Sequence, residues 1–145
     1  MKKILNTSMV YFVLAIAAGV FHREYTKFSG FTGKTVLGNV HTHLLVMGAF
    51  LFLIVALFCI QLPGLLDARI FRRFYVLYNI ALPFMAVTML ARGMIQVKNA
   101  ELTKAVDASL SGMAGIAHIL ITIALVMLFM ALKKNVISHD RKQAG

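Results

Sequence analysis

Four of the five histidines stand in or at the edge of long apolar runs. His22 follows the run Ile4–Phe21, His41 and His43 open the run Val40–Leu62, and His118 lies inside Leu110–Leu132. His139, in the C-terminal tail, reads as a solvated side chain. Neutral imidazole is the commonest metal ligand, and an ionisable residue within an apolar span is a functional hypothesis by default. A single histidine in such a place more often just hydrogen-bonds across helices. Four on three helices at similar depth shift the weight toward ligation.

Depth follows from the rise of about 1.5 Å per residue in a helix. His22 lies 18 residues from Ile4, His43 lies 19 from Leu62, and Arg92 lies 18 from Phe74, each counted from the same end of the bundle. His118, 14 residues from Leu132, is then about 6 Å deeper than His43, an offset that helix tilt absorbs. His41 and His43 are two apart, so on a regular helix they point about 200° apart and do not ligate one metal. Met47 is four residues after His43 and shares its face.

Haem b suits this pattern, because it asks for one or two axial imidazoles, an apolar slot and a cation near its propionates. His43 and His118 are the expected axial pair, with His22 as the substitute for either. Arg92 is the expected propionate partner, and Gly48, Gly112 and Gly115 the places where a flat macrocycle approaches the backbone. Imidazole together with thioether also suits copper, with His22, His41, His43 and His118 as candidate ligands. Met85, Met89, Met94 and Met113 read as core filling.

The elements that position these residues are four apolar helices. The expected fold is all-α, an integral membrane four-helix bundle forming one domain over 1–145, with helices at about 4–22, 38–62, 74–97 and 109–133. Hydrophobic residues make up 60% of the chain and charged ones only 14%, with a mean hydropathy of +0.83. A soluble domain is nearer 45–50% and about 25%. Each run approaches or exceeds the roughly 20 residues a span needs. The first, with Lys2 and Lys3 ahead of a short apolar core, resembles a signal peptide and is expected to be retained as a helix. Lys2, Lys3, Arg69, Arg72, Arg73, Lys133, Lys134, Arg141 and Lys142 fall on one side, against Arg23, Lys27, Lys34, Lys98 and Lys104 on the other. That asymmetry predicts both termini in the bacterial cytoplasm. Pro63-Gly64 ends the second helix, and Pro83 is expected to kink the third. Ala15 with Gly19, and Ser111 with Gly115, are small-residue pairs that predict helix contacts. The glycine-containing loop 23–39 is expected to cap the outer end.

Several classes drop out. All five acids, Glu24, Asp67, Glu101, Asp107 and Asp140, read as loop or tail residues, which argues against a carboxylate-driven ion pathway. No nucleophile elbow, H-E-x-x-H, P-loop or dinucleotide fingerprint is present. The net charge of +10 is dispersed rather than gathered on a stacking face, so no nucleic-acid partner is expected. The lone Cys59 forms no internal disulfide and reads as a small buried hydrophobe.

The segment H-T-H-L-L-V-M-G, His41 to Gly48, resembles a helix of the haem-copper oxidase superfamily and of related nitric-oxide-response haem and copper membrane proteins. Over most of its length the chain resembles an uncharacterised bacterial family of small four-helix membrane proteins, through His41–Gly48, Ala91–Val97 and Gly115–Leu120. The oxidase-like likeness implies histidine ligation of haem at His41 and His43. The copper-ligand set and His–Tyr pattern of oxidase catalytic subunits are not visible, so oxygen reduction by this chain alone is not implied. The expected function is therefore haem b binding in the bacterial cytoplasmic membrane, for electron transfer, with quinol or a redox protein as partner, or for binding NO or O₂. The alternatives are a copper-handling protein and a non-catalytic subunit of a larger complex. Self-association is expected of so small a bundle.

Overall fold

The computed structural model describes the backbone of residues 1–143 and the side chains of residues 1–138. His139 therefore lies outside the described side chains. Helix α1 spans Lys2–Phe28. The second transmembrane-length helix, Leu37–Gln61, is built from α2 (Leu37–His43), a π-helical stretch (Leu44–Phe50) and α3 (Leu51–Gln61). Helices α4 (Arg69–Val97) and α5 (Lys104–Gln143) complete the chain. The described residues thus form an all-α, four-helix structure in which four helices are long and apolar enough to cross a membrane.

The helices run past the ends of the apolar runs, because their stop signals lie farther on. α1 continues beyond His22 to a Schellman cap: Gly30, at φ +59, lets Gly30 N–H reach the Lys27 carbonyl and Phe31 N–H reach that of Thr26. Asn99, at φ 48, closes α4 in the same way through Gln96 and Ile95. Asp107, expected in a loop, lies instead in the first turn of α5. α4 is continuous through Pro83. The loop between α1 and α2 shrinks to residues 29–36, and the Gln96 side-chain carbonyl accepts from Val36 N–H at 2.9 Å, clamping it to α4.

α1 and α4 both pack on the second helix, whereas α5 packs almost wholly along α4. Phe52 centres the core, with its ring 5.8 Å from Tyr11 and 5.7 Å from Tyr78. The outward faces are apolar too: Phe12, Val13 and Ile16 on α1, and Ile119, Val126 and Phe129 on α5, are all exposed. Apolar surface of that extent marks a surface made for something other than water.

Small residues set the close approaches, though not every expected pair does so. Ala15 is buried and Gly19 faces the His41 ring. Ser111 and Gly115 are exposed, and an added Cβ at Gly115 would meet nothing within 4 Å. The α5 contact with α4 uses Ala117, Ala124 and Ala131 instead, all buried and seven residues apart, the repeat of a left-handed seam. Ala124→Leu should force this seam apart at a cost of about 1–3 kcal/mol. The expected readout is a lower melting temperature in detergent, and an unchanged one would show that α5 is not held by the seam.

Candidate cofactor site

The second helix sorts its histidines onto opposite sides. His41 turns toward α1, where its ring lies against Gly19. Its Nδ1 is enclosed and has no hydrogen-bond partner among the described residues. His22 of α1 packs against the same interface one turn outward, since a Cβ on Gly38 would come within 3.1 Å of its ring. His22 and His41 thus belong to the α1–α2 contact.

His43 points about 200° from His41, away from α1. Its Nδ1 lies 2.7 Å from the Asn39 carbonyl, four residues back. His118 repeats this geometry on α5, with Nδ1 2.7 Å from the Ala114 carbonyl. A carbonyl only accepts, so both Nδ1 atoms donate, which leaves Nε2 as the ring atom that can meet a ligand. His43 is half-buried and His118 is exposed.

α4 relates the two. Gly93 meets Leu37 of α2, and the Tyr78 hydroxyl donates to the Met47 carbonyl at 2.8 Å. Arg92, about 100° round α4 from Gly93, donates to Asp107 Oδ1 at 3.0 Å and to the Ser111 hydroxyl at 2.8 Å. The second helix and α5 therefore dock on adjacent sides of α4. Asp107, Ser111 and His118 recur at helical spacing along one flank of α5, and Arg92 reaches that flank. Counting along the antiparallel pairs puts His43 and His118 both level with about residue 84 of α4. Both imidazoles thus lie on the flanks of α2 and α5 that share one side of α4.

The other expected site residues fare differently. Met47 is half-buried a turn below His43, with its carbonyl taken by Tyr78. Gly48 is not open to a ligand: a Cβ there would lie 2.5 Å from the Tyr11 ring, so α1 fills that space. Gly115 and Gly112 are open, with nothing within 4 Å. Arg92 is not a free cation but the partner of Asp107. Among the described residues no cluster of three or more His, Cys, Asp or Glu side chains forms, so the four histidines do not converge on one point.

Two features were missed. One is the π-helical stretch directly after His43. Such widened turns are frequent at functional sites, and here two hydroxyls bond into it, Ser8 to the Ala49 carbonyl at 2.8 Å and Tyr78 to that of Met47. The other is a polar ladder joining α1 to α4. Thr7 and Tyr75 pair at 2.6 Å, and the Tyr11 hydroxyl donates to Asn79 at 3.0 Å. Its signal was the i, i+4 recurrence of polar residues in two apolar runs.

A family model described as "Protein of unknown function (DUF2871)" matches residues 1–135. No curated protein and no solved structure matches. The likeness of His41–Gly48 to oxidase-type helices consequently rests on the motif alone.

Proposed function

The chain belongs to the DUF2871 family, and we propose from its side chains that it binds haem b in the bacterial cytoplasmic membrane, with both termini inside. The carrying observation is the matched pair of imidazoles. His43 and His118 each donate Nδ1–H to a backbone carbonyl at 2.7 Å. That bond fixes the tautomer and strengthens Nε2 as a ligand. An exposed imidazole on the apolar surface of a spanning helix would be costly without a partner, and a cofactor held between α2 and α5 supplies one. The open backbone at Gly112 and Gly115 leaves room beside His118.

His43 and His118 would hold the haem, which would supply single-electron transfer, or the binding of a diatomic gas if only one of them held it. The residues supply orientation and exclusion of water: Ala114 and Asn39 hold the rings, and the Arg92–Asp107 pair closes the outer end. The test is a visible spectrum of purified protein, expressed with haem supplied, before and after dithionite. A sharp Soret band with split α and β bands on reduction is expected. A featureless spectrum with no pyridine haemochrome would overturn the reading and turn attention to copper analysis.

A further inference from the structure

Three cavities run along the seam between α1 and α4. An apolar groove of about 460 Å³ lies between Leu14, Ala18 and Phe21 of α1 and Val87, Leu90 and Met94 of α4. Its floor is Val40 and Leu44 of the second helix. It shares Tyr11, Leu14 and Pro83 with a second cavity of about 540 Å³ that continues past Asn79 to Lys3. Lys3 in turn borders a third, of about 300 Å³, with Arg72 on its rim and Ile4, Phe71 and Tyr75 in its wall. The series follows α1 from residue 3 to residue 21, about 27 Å of helix, close to the thickness of a bilayer's hydrocarbon core.

The charge along this path is one-sided. Lys3 and Arg72 mark its inner end, and among the described residues no acid lines any of the three cavities. Among the described residues neither cation is in an ion pair. Lys3 lies over the Tyr75 ring at 4.6 Å, which holds its ammonium at the junction of the two inner cavities. A cationic mouth leading past the polar side chains of Asn6, Thr7 and Asn79 into an apolar groove is complementary to an anionic head joined through polar ester linkages to a hydrocarbon chain.

We infer that the α1–α4 groove binds an anionic phospholipid, its phosphate between Lys3 and Arg72 and one acyl chain laid past Tyr11 and Leu14 toward Ala18. A free anion matches only the mouth, and a zwitterionic lipid leaves the cations unbalanced. The inference rests on the membrane orientation proposed above but not on haem, and a lipid titration and a haem spectrum fail separately.

The test is native mass spectrometry of delipidated protein titrated with phosphatidylglycerol, with phosphatidylcholine of the same chains, with a six-carbon phosphatidylglycerol and with inorganic phosphate. Each surface cation contributes about fivefold in anionic-lipid affinity, so the long-chain anionic lipid should bind about 25-fold more tightly than phosphatidylcholine. Lys3→Gln with Arg72→Gln, both at exposed positions, should abolish that preference without lowering the melting temperature. Ala18→Phe should weaken both long-chain lipids. Equal affinity for the two head groups would overturn the proposal. So would a preference that survives the double substitution, or phosphate or the six-carbon lipid binding as tightly as the long-chain one.

Discussion

Gly93→Ala should be among the most damaging single-methyl changes in this protein. A Cβ at Gly93 would lie 2.6 Å from both Leu37 Cβ and the Leu37 backbone nitrogen. Backbone cannot step aside as a flexible side-chain tip can, so α2 and α4 must separate. That separation strains the Gln96 bond to Val36 N–H and uncovers Leu37, which is fully buried. Overpacking costs about 1–3 kcal/mol where side chains can adjust, and this site belongs at or above that range. Gly48→Ala should behave alike, because the Tyr11 ring it would meet is held by Asn79 on the far side. Gly112→Ala is the matched control: nothing lies within 4 Å, and alanine gains about 1 kcal/mol of helix propensity over glycine. Thermal unfolding in one detergent should therefore rank Gly112→Ala at or above the parent, with Gly93→Ala and Gly48→Ala well below it. Equal melting of all three would mean that the helices do not approach as closely as described.

The sequence carried the number and rough placement of the helices, because an apolar run of spanning length leaves a chain few other structures. It did not carry their ends. The run of residues 22–28 is polar enough to read as loop, yet nothing in it breaks a helix before Gly30. Asp107 was misplaced for the same reason: a charge near the edge of an apolar run looks like a boundary, whereas here it reaches back to Arg92. The glycines show the limit most clearly. Gly48, Gly93, Gly112 and Gly115 look alike in sequence, but the first two are filled by Tyr11 and Leu37 and the last two are open. Only the three-dimensional neighbour distinguishes a glycine that admits another helix from one that leaves a gap. Among the histidines, helical spacing sets His41 and His43 on different sides of the second helix. It gave no warning that His22 would join His41 in the α1–α2 contact, because which face of α1 meets α2 depends on packing rather than periodicity.

If His43 and His118 hold haem, His43→Ala and His118→Ala should each remove the sharp, split reduced bands, with an effect larger than the about 10–100-fold loss typical of residues that only orient a metal ligand. The two variants should still differ. His118 is exposed and flanked by open backbone at Gly115, so added imidazole can enter the space its side chain leaves and restore the six-coordinate spectrum. His43 is half-buried, and rescue there should be weak. His22→Ala and His41→Ala should leave the bands in place, because both rings belong to the α1–α2 contact on the opposite side of the second helix. His41→Ala should instead change stability, since it removes an imidazole whose enclosed Nδ1 has no partner and leaves space beside Gly19. The pattern separates the roles cleanly. Bands lost with His22 or His41 but kept without His43 would move the cofactor to the α1–α2 interface. Loss only with His118, with His43 silent, would leave one axial imidazole and make an open, gas-binding position the better account.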